Sequence, residues 1–333
     1  MKLSSCTAVA GTNIALVKYW GKRDPALNLP AAGSLSLTLK ELGTRTTVRF
    51  GSHLGSEDRV RLNGRDPDDS TRTRIGTFLD LVRERAGITA HAEVVTENSV
   101  PTAAGLASSA SGFAALAVAA SRAAGLALVP AQLSALARRG SGSAARSIFG
   151  GFVEMQPGVF ADGSDAVAAS ISEGDGWGIR LVVAVTSEAE KAVGSTEAME
   201  RTARTSPFYA SWLESVPGDL QDARAAIAER DLHRLGAVAE RSAIRMHASA
   251  MAATPSILYW TPATLAAMKT VFALRDRGLA AYFTIDAGPH VKVLCEQDHV
   301  AEVNTALTAT PGVIRTFTTS PGRGARILHE TTA

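Results

Sequence analysis

Pro101-Thr102-Ala103-Ala104-Gly105-Leu106-Ala107-Ser108-Ser109-Ala110-Ser111-Gly112 crowds small residues together and runs straight into an Ala-rich apolar segment. Gly and Ala let a backbone approach a ligand closely. A helix starting in such a segment points unpaired N–H groups at whatever the loop holds, and an anion such as a nucleotide phosphate suits that position. No Gly-Lys-Ser/Thr follows, so this is not the Walker arrangement. The loop carries no basic residue, so neutralising charge must come from elsewhere or from a metal. The hydroxyls of Ser108 and Ser109 are the candidates for touching phosphate or Mg²⁺. The structural alternative is a tight helix–sheet contact that simply wants small side chains.

Working outward, residues 108–124 read as a buried helix stopped by Gly125, and Pro130 and Gly140 bracket another. Upstream, residues 9–20, 34–39, 45–50, 60–63 and 91–96 have strand character, and residues 74–85 have helical period with Gly87 as the stop. Downstream, a new segment opens near Gly178 with an apolar strand at 181–186. Residues 188–204 and 219–246 read mainly as helical. Thr261-Pro262 starts a helix that Gly278 ends. Strands at 281–285 and 290–294 flank Asp286-Ala287-Gly288-Pro289, followed by a helix at 298–308 and strands near 314–318 and 326–329. Partly segregated strands and helices predict an α+β fold rather than a doubly wound parallel sheet.

The chain has 333 residues, 46% hydrophobic and 20% charged, which allows a large core and favours two domains. A net charge of +2 gives no broad basic surface for nucleic acid, so any positive field must be local. Cys6 and Cys295 lie far apart, with neither metal nor disulfide spacing, consistent with a reducing cytoplasm. Met1-Lys2 ahead of Cys6 leaves no room for the apolar stretch of a lipoprotein signal, and no apolar run is long enough to span a bilayer.

Three further segments carry chemistry. In Asn13-Ile14-Ala15-Leu16-Val17-Lys18-Tyr19-Trp20-Gly21-Lys22, two lysines bracket an aromatic pair, and a regular strand would put Lys18, Trp20 and Lys22 on one side. Gly140-Ser141-Gly142-Ser143-Ala144-Ala145-Arg146 opens a helical turn with small residues and adds a guanidinium suited to two-point contact with carboxylate or phosphate. Asp286 closes an apolar strand, where it is either a turn-former or a base held at the strand's mouth. The seven His show no zinc spacing, and there is no GxSxG elbow.

Together with Ala32-Gly33-Ser34-Leu35-Ser36-Leu37-Thr38-Leu39, these segments closely resemble the diphosphomevalonate decarboxylase family of the GHMP kinase superfamily, in order and over nearly the whole chain. The resemblance implies a β-rich N-terminal domain (residues 1–178) with a left-handed crossover core and the nucleotide loop, and a ferredoxin-like C-terminal domain (residues 179–333). It implies a cytoplasmic homodimer in the mevalonate pathway of isoprenoid synthesis. The implied reaction turns ATP and mevalonate 5-diphosphate, with Mg²⁺, into ADP, phosphate, carbon dioxide and isopentenyl diphosphate. By position, Asp286 is the catalytic carboxylate, Arg146 holds the substrate carboxylate, Lys18 sits beside the reacting centre and Lys191 near the transferred phosphoryl. Tyr19, Lys22, Ser141, Gly142, Ser143 and Met199 line the substrate pocket. Ala103, Ala104, Gly105, Leu106, Ala107, Ser108 and Ser109 form the nucleotide loop, with Ser108 and Ser109 as metal contacts. The family often has Gly where Ala198 stands, and some bacterial members have Arg where Thr196 stands, so substrate contacts there are expected to differ in detail. Rival expectations are a decarboxylase of the monophosphate, a kinase that stops at 3-phosphorylation, and a nucleotide-binding sensor without chemistry.

Overall fold

The computed structural model describes residues 4–51, 57–99, 108–189 and 191–332. The first part runs β1 (Ser4–Val17), β2 (Lys22–Asp24), β3 (Leu29–Pro30), β4 (Ser34–Phe50), β5 (Arg59–Leu62), α1 (Asp69–Ala86), β6 (Ala92–Asn98), α2 (Ser108–Ala123) and α3 (Pro130–Gly140). A 3-10 turn (Gly142–Ile148) then leads to β7 (Phe152–Met155) and β8 (Ala168–Ser172). The second part runs β9 (Ile179–Val185), α4 (Ser195–Thr205), α5 (Tyr209–Glu229), α6 (Leu232–Met251), α7 (Pro262–Asp276), β10 (Ala281–Ile285), β11 (Val291–Glu296), α8 (Val300–Thr308), β12 (Arg315–Thr319) and β13 (Arg326–Thr332).

Two sheets carry the fold. The larger has the order β13-β1-β4-β6-β5, with β7 and β8 extending from β4. The smaller is antiparallel in the order β10-β11-β9-β12, the ferredoxin-like arrangement the resemblance implied. On the larger sheet, α2 lies against β1 and β4. Its buried face is built from Ala114, Ala115, Ala117, Ala119 and Ala120, thin side chains that bring the helix axis close to the strands. Asp68 caps α1 by accepting a hydrogen bond from the Thr71 N–H, and Gly87 ends that helix in the left-handed conformation. The core between the two parts is continuous, joining Ile14, Leu16 and Leu37 to Leu181, Leu235 and Leu294. Among the described residues, no helix is long and apolar enough to cross a membrane.

The structure revises several sequence expectations. Residues 34–39 and 45–50 belong to one strand, β4: Gly43 lies against the Ala10 backbone, and the pairing with β1 shifts register between Gly11 and Asn13, so the break is a bulge and not a turn. The first strand ends at Val17, short of Trp20. Residues 188, 189 and 191–194 precede α4 rather than joining it, and residues 219–246 are split where Arg230 turns left-handed and Asp231 caps α6. The ribbons β2–β3 and β7–β8 are too short for periodicity to reveal. Residues 326–332 pair with β1, so the end of the 179–333 segment sits in the first sheet and covers an edge otherwise left open.

Candidate active site

The strand β1 aims its C-terminal end at the smaller sheet. Its Ala15 carbonyl accepts from Thr284 Oγ1 on β10, and the Lys18 N–H donates to Ser242 Oγ on α6. This docking leaves Lys18 2% exposed, directly beside the mouth of β10. Its Nζ donates to Asp286 Oδ1 at 2.7 Å and to the Ala15 carbonyl at 2.8 Å. On the other side, Lys292 Nζ stands 3.2 Å from Asp286 Oδ2. The acid is thus pinned by two ammonium groups while 28% of its side chain stays open to solvent.

Electrostatics follow from this geometry. Burial alone would raise the Asp286 pKa, but the charges and hydrogen bonds of Lys18 and Lys292 outweigh it and hold the carboxyl well below the usual range. Burial pulls Lys18 down to about 8; Asp286 opposes that fall, while Lys292 and Arg146 add to it.

Arg146, in the 3-10 turn, is 2% exposed. Its Nε donates to Ser36 Oγ at 3.0 Å, Nη1 to Ser34 Oγ at 2.6 Å and Nη2 to Asn13 Oδ1 at 3.2 Å. A guanidinium has five N–H groups, so one on each terminal nitrogen is left for a ligand. Among the described residues no carboxylate comes within salt-bridge range of Arg146, although it lies in the field of Asp286. A buried cation held only by neutral acceptors is a built receptor for an anion. Burial lowers its pKa to about 10, so it stays charged at neutral pH.

Tyr19 lies under this guanidinium, with its ring centroid 5.8 Å from the Arg146 carbon, and its buried hydroxyl finds no hydrogen-bond partner among the described residues. Gly142 is what makes room for it, because a Cβ there would overlap the phenol. Gly142→Ala is therefore expected to displace Tyr19 and lower kcat/KM about tenfold or more, since about an ångström of misplacement at a reacting site can cost a hundredfold in rate. Steady-state kinetics on a variant with an unchanged melting temperature checks this.

The remaining expected residues divide. Lys22, on β2, is half-buried; burial lowers its pKa, with Glu200 opposing and Arg74 adding. Ser141 Oγ lies 3.3 Å from Ser143 Oγ and 3.5 Å from Ser109 Oγ, which brings the 3-10 turn and the start of α2 together. Lys191 Nζ donates to Ser195 Oγ at 2.8 Å, and its ammonium lies in the fields of Asp286 and Lys292. Met199 instead packs into the core at 6% exposure. The expected loop residues Ala103, Ala104, Gly105, Leu106 and Ala107 lie outside the described residues, as does the Ser108 side chain. The expectation that Lys18, Trp20 and Lys22 share one face fails because β1 ends at Val17: Trp20 turns into the core, and Gly21 takes a positive φ of 106°.

Sequence reading missed Lys292, Asn13, Ser34 and Ser36. A lysine on an apolar strand could have flagged Lys292, but which acid it meets is a matter of sheet register. It also missed a cavity of about 160 Å³ beside α2, lined by Thr46, Thr71, Arg74, Asn98, Ser109 and Phe113 among others. Arg74 lies over the Phe113 ring at 5.0 Å and donates to the Gly140 carbonyl. Ser109, at the start of α2, is part of its wall, and the mixed polar and apolar lining fits a nucleoside whose phosphates would point to the α2 N-terminus. Among the described residues no cluster of His, Cys, Asp and Glu could hold a metal ion. The Ser109 hydroxyl fits Mg²⁺ arriving with nucleotide phosphates, since that ion keeps waters and takes few protein ligands.

Comparison with known proteins points one way. Residues 10–168 match the diphosphomevalonate decarboxylase-like N-terminal domain family, and residues 181–321 match the mevalonate 5-diphosphate decarboxylase C-terminal domain family. The diphosphomevalonate decarboxylase of Schizosaccharomyces pombe is 37% identical over 93% of this chain and 83% of its own. The human diphosphomevalonate decarboxylase is 36% identical over 92% and 80%. The crystal structure of mevalonate diphosphate decarboxylase from Staphylococcus aureus aligns with a TM-score of 0.93 at 38% identity, covering 98% of both chains. The complex of MDDEF with MVAPP, AMPPCP and magnesium aligns with a TM-score of 0.92 at 42% identity, covering 98% of this chain and 99% of that one.

Proposed function

The chain belongs to the diphosphomevalonate decarboxylase family, and from that premise we infer that it is the ATP-dependent enzyme converting mevalonate 5-diphosphate to isopentenyl diphosphate in isoprenoid synthesis. The observation that carries the reading is the pairing of an acid pinned between two lysines with a buried guanidinium that has no acidic partner among the described residues. A sensor that had lost chemistry would have no need of either.

The reaction begins by moving the γ-phosphoryl of ATP onto the tertiary hydroxyl of carbon three. Phosphoryl transfer asks mainly for alignment and charge neutralisation. Asp286 accepts a hydrogen bond from that hydroxyl and orients it. So acidic a carboxyl is a weak base, suited to taking the proton late, once bonding to phosphorus has made the hydroxyl acidic. Lys191, whose ammonium lies in the field of Asp286, supports the transferring phosphoryl. Mg²⁺, when bound, supplies countercharge to the nucleotide phosphates. The carbon–oxygen bond to the new phosphate then breaks, positive charge grows at carbon three, and the carboxylate bond's electron pair becomes the product double bond as carbon dioxide departs. Arg146 holds that carboxylate with its two remaining N–H groups. The site is closed to bulk water around the guanidinium, which strengthens the hold.

Tyr19, Lys22, Ser141 and Ser143 are assigned to the diphosphate, and the cavity beside α2 to the nucleoside. Met199 acts by shaping the pocket wall from within the core. The loop at 103–107 is assigned to the ATP phosphates, with Ser108 and Ser109 toward the metal, on the family resemblance. The division near residue 178, a homodimer and a cytoplasmic location complete the proposal. The deciding test is a coupled ADP assay with carbon dioxide trapping, run with mevalonate 5-diphosphate beside the monophosphate. Carbon dioxide from the diphosphate is expected; release from the monophosphate alone, or ADP without carbon dioxide, overturns the reading.

A pH profile follows from Lys18. Its charged form, present below pH about 8, is the one that pairs with Asp286, so kcat/KM should fall as pH rises through about 8. Asp286 stays ionised through mildly acidic pH and adds no acid limb there. A profile flat to about pH 9.5 would contradict this role for Lys18.

A further inference from the structure

We propose that Lys292 is a positioning residue for this reaction: it clamps the second oxygen of Asp286, so that the first stays on Lys18 and the carboxylate presents a fixed edge to the reacting hydroxyl. The inference rests on the function proposed above. Lys292 lies on β11, 1% exposed, with its Nζ 3.2 Å from Asp286 Oδ2. Strand β11 pairs with β10 in register Thr284↔Lys292, two residues before the acid, so the lysine reaches up along the sheet face to the carboxylate at the strand's mouth. A single lysine would leave the carboxylate free to rotate about its last torsion. A second ammonium, rooted in the neighbouring strand, removes that freedom.

The second cation also sets the field around the first. The charged and titratable groups around the acid are Lys18 after β1, Lys191 before α4, Arg146 in the 3-10 turn, His247 on α6, and His290 and Lys292 at β11. His247 and His290 are buried, with pKa values lowered to about 3 and about 4, so they are neutral at working pH and contribute no charge. Lys292 is thus an extra positive charge that makes Asp286 more acidic and makes Lys18 give up its proton more easily. Removing that charge must move both groups the same way, upward in pH. Loss of packing alone would lower the rate without shifting the alkaline limb.

The test compares kcat/KM–pH profiles of the wild type, Lys292→Met, Lys292→Gln and Lys292→Arg with ATP and mevalonate 5-diphosphate. The neutral variants are expected to lose about tenfold or more in kcat with little change in the KM for ATP, and to carry the alkaline limb upward by about half a pH unit or more. Lys292→Arg keeps the charge and should leave the limb at its wild-type position, whatever its kcat. If one neutral variant does not fold, the other and the arginine variant still decide. Neutral variants whose limb coincides with wild type, or an arginine variant whose limb moves as theirs does, overturn the proposal. Failure of the wild type to release carbon dioxide would instead refute the functional reading, so the two failures are told apart. Substrate phosphate ionisations are common to all four proteins and cannot produce a difference between them.

Discussion

Asp286→Ala is expected to cut turnover by several orders of magnitude while ATP still binds. The acid is the group nearest the reacting hydroxyl in the proposed arrangement, and Lys18 and Lys292 both point at it. Removing a group that acts in the transition state lowers kcat, not merely affinity. Stability should suffer less. Breaking a buried ion pair by deleting one partner costs about 3–5 kcal/mol when the other charge is stranded. Lys18, already lowered to about 8, can shed its proton instead, which limits the loss. The expected signature is a folded protein with a modestly lower melting temperature, ATP affinity close to wild type, and almost no carbon dioxide release. Asp286→Asn keeps the shape and should be nearly as inactive. Near-normal turnover in either variant would remove Asp286 from the chemistry.

Arg146→Lys is expected to lose roughly a hundredfold or more in kcat/KM, the scale seen when one preorganised donor is removed from a dry site. Lysine keeps the charge but has a single ammonium, and it cannot replace a planar fork that bonds Ser34, Ser36 and Asn13 while offering two further N–H groups. Arg146→Ala should be worse for stability, since it leaves buried Ser34, Ser36 and Asn13 short of a donor they now share. Coupled ADP release on the lysine variant, with its melting temperature as control, checks the prediction. Unchanged turnover would mean that the carboxylate is not held at two points.

How much of the site could be read beforehand depends on the residue. Arg146 and Asp286 sit in short motifs where small residues flank a charged one, and that contrast is visible without coordinates. Lys18 was legible as a candidate, but its supposed strand-mates were not: the period-2 argument assumed the strand continued, and β1 stops at Val17 to let the chain turn at Gly21. Lys292 gave a weaker signal, a lone lysine on an apolar strand, and only the pairing of β10 with β11 turns it toward an acid. Serines 34 and 36 read as ordinary strand residues until Arg146 is brought over them from more than a hundred positions away.

Local chemistry in the sequence determined the α+β class, most helix ends and the small-residue turn that opens around Gly142, because capping, periodicity and steric demands act over a few residues; the acid and the guanidinium were singled out among the candidates by the resemblance to the family. Tertiary structure alone decided that β13 closes the first sheet, that β4 bulges rather than turns, and that a lysine just past β1 and another on β11 grip one carboxylate. Those outcomes depend on register and on distances between segments that are remote in the chain, and no local propensity encodes either.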